Sequence, residues 1–264
     1  MAFPLGYLWL LPVGIVIGAF GTLIGAGGGF LLVPLLLLLY PKDSPELITS
    51  ISLFVVFFNA LSGSVAYARM RRVDYKSGML FAVATIPGAI LGAMTTSLIP
   101  RRTFDLVFGI VLIVVCVLLL LWPTKVPKAM PATTGKFLLH RTVVEADGTV
   151  HRFAYNPVIG IIISVFVGYF SSLLGIGGGI IHVPVLAYVL DFPVHIATAT
   201  SHFVLSIMAL TGTLVHVAEG VFRQGIDRAI ILSIGVIIGA QIGARASNRV
   251  QGSFIIRGLA LAGC

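Results

Sequence analysis

The sequence predicts an all-α polytopic membrane protein made of two homologous repeats, and three observations carry that reading. Of 264 residues, 58% are hydrophobic and 10% are charged, whereas a soluble domain is about 25% charged. The charges are confined: residues 1–41, 47–68, 77–100, 106–124, 153–190, 192–218 and 229–244 contain no Asp, Glu, Lys or Arg. A spanning helix needs about 20 apolar residues. A glycine-rich motif recurs at an offset of 150 residues. Such a composition excludes a soluble enzyme, and apolar windows this long, without alternation, exclude a transmembrane barrel.

The net charge of +8 reads as orientation, because Lys and Arg collect in loops that stay in the cytoplasm. No basic stripe interleaves with aromatics, so a lipid bilayer is the expected partner and nucleic acid is not. Cys116 and Cys264 form no CxxC motif. The first cation is Lys42, so no basic region precedes the first apolar stretch. Residues 5–24 therefore read as a membrane helix, not a cleaved signal peptide.

The repeat organises everything else. Gly25-Ala26-Gly27-Gly28-Gly29 is followed by Val33-Pro34, and Gly175-Ile176-Gly177-Gly178-Gly179 by Val183-Pro184. The echo continues through Ser52/Ser201, Ser62/Thr211, and Gly88-Ala89 with Gly92-Ala93 against Gly239-Ala240 with Gly243-Ala244. Three regions follow: repeat 1 over 1–123, a polar linker over 124–156 and repeat 2 over 157–264. In the linker, Asp147-Gly148 between β-branched runs signals a β-hairpin.

Within repeat 1 the expected spans are about 46–69, 77–99 and 103–123. In repeat 2 they are about 194–218, 226–247 and a short last one, 250–264. The first block of each repeat, about 5–40 and 157–190, is too long for one span. Three glycines in a row make a helix break there favourable, so each block reads as two helical pieces, for about 8–10 membrane segments. Whether a block crosses or folds back is left open by the cations. Crossing places eleven Lys and Arg inside and five outside; folding back places twelve inside and five outside. Both arrangements put the linker in the cytoplasm. Folding back gives inverted repeats, a common transporter plan, and is preferred.

Broken helix in a bilayer is tolerated where protein buries it or where it lines a wet cavity. The N–H groups freed at Gly27, Gly28, Gly29 and at Gly177, Gly178, Gly179 suit an anion. The competing reading is close helix packing through small residues. Hydroxyls kept in both repeats, Ser52 with Ser201 and Ser62 with Thr211, join the candidate site, as does Asn59; back-bonding to their own helix is the alternative. His182 and His202 are candidates for proton coupling. No carboxylate lies in the histidine windows, so no metal site and no cofactor are expected.

The two G-x-G-G-G motifs with their Val-Pro followers, and the Gly-Ala-x-x-Gly-Ala spans, resemble the TauE/SafE family, also called the TSUP permeases. The resemblance covers nearly the whole chain. It implies a secondary transporter of the bacterial cytoplasmic membrane, with multiple spans and no enzymatic activity. It also implies export or uptake of sulfite, sulfonates, sulfoacetate or related small anions. A channel or facilitator for a neutral solute or another anion is the alternative class. Substrate, direction, coupling ion and any homo-oligomeric state stay open at this point.

Overall fold

A computed structural model describes residues 5–121 and 138–250. All of the last expected span, 250–264, except Val250 lies outside the described residues, as do Lys125, Lys128 and Lys136 of the linker. The fold is all-α and polytopic, with one small hairpin. Its helices are α1 (Leu10–Ile24), α2 (Gly29–Leu39), α3 (Pro45–Arg69), α4 (Tyr75–Thr96) and α5 (Arg101–Leu121). Strands β1 (Leu139–Val144) and β2 (Val150–Tyr155) precede α6 (Pro157–Leu174), α7 (Gly179–Pro184), α8 (Val194–Ala218) and α9 (Ile226–Ala246). Among the described residues, five helical stretches are long and apolar enough to cross a membrane: Pro45–Arg69, Tyr75–Thr96, Pro157–Leu174, Val194–Ala218 and Val221–Ala246.

Local chemistry sets the helix starts. Ser44 caps α3 by accepting from the Leu47 N–H at 3.2 Å, and Asn156 caps α6 by accepting from the Val158 N–H at 2.9 Å. A proline follows each cap, where its missing N–H costs no intrahelical bond. Pro184 removes a donor inside the next turn, and α7 continues as a π-helical turn over Val185–Val189.

Small residues set the packing. A Cβ on Gly88 or Gly92 of α4 would lie 2.1 or 2.2 Å from the carbonyl oxygens of Val165 and Tyr169 on α6. Gly239 and Gly243 of α9 meet the Ile15 and Ala19 carbonyls of α1 in the same way, each at 2.1 Å. Both pairs run parallel, since residue numbers rise together along each contact. Helices α3 and α8 run antiparallel: Gly63 lies against His202, and Gly212 against Leu53. Large apolar side chains such as Val16, Val83, Ile113 and Phe166 cover the outer surface, which suits a lipid environment.

Each glycine-broken block enters and leaves the bundle at one end. Asp43, after α2, pairs with Arg228 at 2.6 Å. Arg228 starts α9, whose first turns lie beside the first turns of α1. In the second block, Gly160 near the start of α6 lies against Leu190 beyond α7. Phe192 packs its ring, tilted by about half a right angle, against Phe153 and Tyr155 of the hairpin, with ring centroids 4.3 and 5.1 Å apart. The first block therefore opens at the start of α3, and the second opens at its other end, beside the hairpin.

The hairpin pairs Leu139 with Tyr155 through Val144 with Val150. Gly148 turns it with φ 88°. It docks on the α3–α4 corner through charge. Asp74 is 1% exposed and pairs with Arg141 of β1. Asp74 also accepts from Ser77 at 2.5 Å, and Tyr155 donates to Ser77 at 2.7 Å. Alongside, Glu145 takes Arg72 at 2.6 Å and His151 at 2.8 Å. Burial raises the Asp74 pKa, but Arg141 and Ser77 outweigh it and hold the carboxyl below its ordinary value.

Candidate functional site

The two glycine breaks meet face to face, and the glycines do two different jobs. Gly25, Gly27 and Gly28, like Gly175, Gly177 and Gly178, have φ between 68° and 82°. That is the left-handed region, which reverses the chain after α1 and α6. Gly29 and Gly179 are needed for room. A Cβ on Gly29 would lie 2.6 Å from the Gly175 carbonyl oxygen, and one on Gly179 would lie 2.3 Å from that of Gly25. The breaks are thus backbone-to-backbone contacts between the two halves. Several N–H groups expected to be free are already used: Gly27 donates to the Gly21 carbonyl and Gly179 to that of Gly177, while Leu31, Leu32, Ile181 and His182 bond back to the Gly28 and Gly178 carbonyls, so Gly29, Phe30 and Ile180 are the helix-start donors left.

Two serines tie the contact reciprocally. Ser52 of α3 donates to the Gly175 carbonyl at 2.6 Å, and Ser201 of α8 donates to the Gly25 carbonyl at 3.4 Å. Both carbonyls belong to helix C-termini and would otherwise be orphaned. Val56 packs on both Gly27 and Gly177, and Leu205 packs on Gly27. The junction is closed and apolar on that side.

A buried polar cluster adjoins the first break. Thr22, at the end of α1, donates to the Asn59 side-chain oxygen at 3.1 Å. Tyr67 donates its hydroxyl to the Thr22 carbonyl at 2.8 Å. The His202 Nε2 lies 3.3 Å from the Thr22 hydroxyl. Gly63 makes the space, because a Cβ there would sit 2.5 Å from the His202 ring. Thr22, Asn59, Tyr67 and His202 are all at most 1% exposed. Among the described residues the Asn59 Nδ2 group has no partner, although it carries two N–H donors.

The residues matched to these four at an offset of 149 or 150 are different. Ser172 stands at the Thr22 position, Met208 at Asn59, Leu53 at His202 and His216 at Tyr67. The polar cluster is therefore one-sided.

The structure brings together only part of the sequence-derived set. Gly27, Gly28, Gly29, Gly177, Gly178, Gly179, Ser52 and Ser201 lie at the junction, with Asn59 and His202 beside it. Ser62 does not: it donates to the Ile237 carbonyl at 3.0 Å and accepts from Gln241 at 2.9 Å, on the α3–α9 face. Thr211 back-bonds to Ile207 of its own helix at 2.9 Å. His182 sits between α6 and α7, 3.4 Å from the Ser164 hydroxyl and away from His202. Sequence reasoning missed Thr22 and Tyr67. For Thr22 the signal existed, since Ser172 repeats its hydroxyl at the offset of 150.

Comparison with known proteins fits this architecture. A family model described as "Sulfite exporter TauE/SafE" matches residues 10–264. The "Probable membrane transporter protein YunE" of Bacillus subtilis (strain 168) is 32% identical over 258 residues, covering 96% of this chain and 92% of the relative. The "Probable membrane transporter protein MJ0441" of Methanocaldococcus jannaschii is 26% identical over 261 residues, covering 93% and 89%. A "Probable membrane transporter protein" of Xylella fastidiosa (strain Temecula1) is 28% identical over 231 residues, covering 88% and 81%. No solved structure matches at comparable significance. With the family model spanning both glycine breaks and all the apolar helices, the chain belongs to the TauE/SafE family of multi-pass membrane transporters.

Proposed function

We propose that this transporter moves a small sulfur oxyanion, sulfite or a sulfonate, through the junction of its two glycine breaks. The observation that carries the reading is the Asn59 amide. It is fully buried beside the first break, and its Nδ2 donors have no partner. An unpartnered buried amide costs about 1–3 kcal/mol, and an oxyanion would use those donors. The N–H groups of Gly29 and Phe30, which begin α2 and have no backbone acceptor among the described residues, supply further donors. Ser52 and Ser201 act differently from the sequence expectation: their protons go to the Gly175 and Gly25 carbonyls, so they hold the breaks in shape. His202 is the better proton-coupling candidate, because its ring touches the cluster and that of His182 does not.

In this reading the halves are inverted repeats, moving against each other around the junction. Support comes from the antiparallel run of α3 and α8 and from the opposite ends at which the two blocks open. The hairpin end gathers Arg69, Arg71, Arg72, Arg141 and Arg245, which favours a cytoplasmic linker. The closed contact of Val56 and Leu205 with the glycines favours a carrier over an open pore.

The test is sulfite flux into proteoliposomes, with and without a proton gradient. Asn59→Leu should abolish saturable flux while the thermal melt of the purified protein stays near wild type. Wild-type flux in Asn59→Leu would overturn the site. Flux at pore-like rates, unaffected by the gradient, would overturn the carrier mechanism.

A further inference from the structure

At the end of the bundle opposite the hairpin, α3 begins where α8 ends. Glu46 lies in the first turn of α3, His216 in the last turn of α8 and Glu219 just beyond it. One ligand atom from each lies within 4.8 Å of the other two. His216 is 0% exposed, and neither ring nitrogen has a hydrogen-bond partner among the described residues. Its Nδ1 is 3.3 Å from a Glu219 oxygen, close but not aligned as a hydrogen bond. The matching residue at the other end of the bundle, Tyr67, has its hydroxyl satisfied by the Thr22 carbonyl.

The charge balance is equally incomplete. Among the described residues, neither Glu46 nor Glu219 forms an ion pair with Lys or Arg. Two carboxylates and an unpartnered imidazole thus converge with no cation to answer them. Burying the imidazole with both nitrogens unpartnered is unfavourable, and so is holding two carboxylates side by side; a metal ion removes both penalties. Glu219 is 29% exposed, so the cluster opens to solvent on that side.

We propose that Glu46, His216 and Glu219 form a binding site for a divalent transition-metal ion of the zinc class. Imidazole nitrogen with carboxylate oxygens suits zinc and its neighbours, whereas magnesium and calcium take oxygen ligands. Bond lengths of about 2.0–2.2 Å put tetrahedral donors roughly 3.4 Å apart. The three side chains reach that by closing at most about 1.4 Å. Glu46 and Glu219, at helix ends, have the rotamer freedom to do so. The fourth position faces solvent and takes water. Helix α3 belongs to the first half of the chain and α8 to the second, so the ion staples the halves at one end. It stabilises whichever arrangement holds its three ligands together.

The sequence analysis expected no metal site because no carboxylate lies inside a histidine window. The carboxylates come from just outside two windows, and the fold brings them to one place.

The experiment uses the full chain in detergent, with any polyhistidine tag removed and bound metal stripped by chelator. Zinc is titrated by calorimetry, and retained metal is counted by mass spectrometry after desalting. The expected result is one zinc per chain and a rise in melting temperature. Glu219→Gln, at an exposed position that does not threaten folding, should weaken binding by about tenfold or more, and His216→Gln should do the same. Magnesium and calcium should not compete. No retained zinc in the wild type would overturn the site. Wild-type affinity in both variants, or equally tight magnesium binding, would also overturn it. No readout depends on transport, so failure here leaves the anion reading untouched.

Discussion

The Ser52 hydroxyl donates a 2.6 Å hydrogen bond to the carbonyl of Gly175, 123 residues away in the other half of the chain. Its counterpart, Ser201 to Gly25, is longer at 3.4 Å. Each bond answers the last carbonyl of a broken helix at a place that water does not reach.

The difference in length predicts unequal effects. Ser52→Ala leaves a buried carbonyl unsatisfied and should cost about 1–3 kcal/mol. Ser201→Ala removes a weak bond and should cost less. Thermal melts of the two variants in one detergent test this. A larger loss in Ser201→Ala would show that the two ties are not ranked by their geometry.

The glycines at the junction and in α5 should respond in opposite directions. Gly179→Ala puts a methyl group 2.3 Å from the Gly25 carbonyl oxygen and 2.6 Å from the Ala26 Cα. Both are backbone atoms, so no side chain can yield. The halves must separate, with loss of stability of more than about 3 kcal/mol and loss of transport. A Cβ on Gly109, inside α5, meets nothing within 4 Å. Gly109→Ala should therefore raise stability by up to about 1 kcal/mol through helix propensity, with transport unchanged. Melting temperatures and flux, measured on both variants, check the pair.

The membrane class and the glycine breaks were legible because they leave local marks. Charge-free windows reveal spans, and backbone contact admits only glycine, so Gly29 and Gly179 stand out even without their partners. Orientation around a helix was harder to see. Ser52 and Ser62 both looked like site residues because each has a hydroxyl partner in the other repeat. Ten residues at about 100° each leave them roughly 80° apart around α3, and Ser62 turns to α9. Long-range pairs left no mark at all. Asp74 and Arg141 look like ordinary loop charges, as do Glu46 and Glu219, until the chain brings them together.

The one-sided polar cluster predicts what copying the second half into the first would do. Asn59→Met installs the residue found at the matching position, Met208. It removes an amide whose Nδ2 is unpaired and leaves the Thr22 hydroxyl free to back-bond to its own helix. Stability should change by less than about 1 kcal/mol, or rise. Anion-induced thermal stabilisation should disappear. A strongly destabilised Asn59→Met that still responds to sulfite would make the amide structural.

The Asp74–Arg141 pair gives a pH dependence with a definite sign. The folded pKa of Asp74 is lowered from an unfolded value of about 3.9. A lowered carboxylate pKa contributes stability that is fully present above the unfolded value and is lost as pH falls through the folded one. The Asp74–Arg141 contribution to hairpin docking should therefore be constant from pH 5 to 8 and weaken only below about pH 4. Asp74→Asn removes the charge at every pH and leaves Arg141, at 17% exposure, without its partner. Breaking a buried pair this way costs about 3–5 kcal/mol. The variant hairpin should be cut by trypsin at Arg141 and Arg152 at neutral pH, where the wild type resists. Equal cleavage of the two proteins at pH 7 would show that the ion pair does not hold the hairpin to the α3–α4 corner.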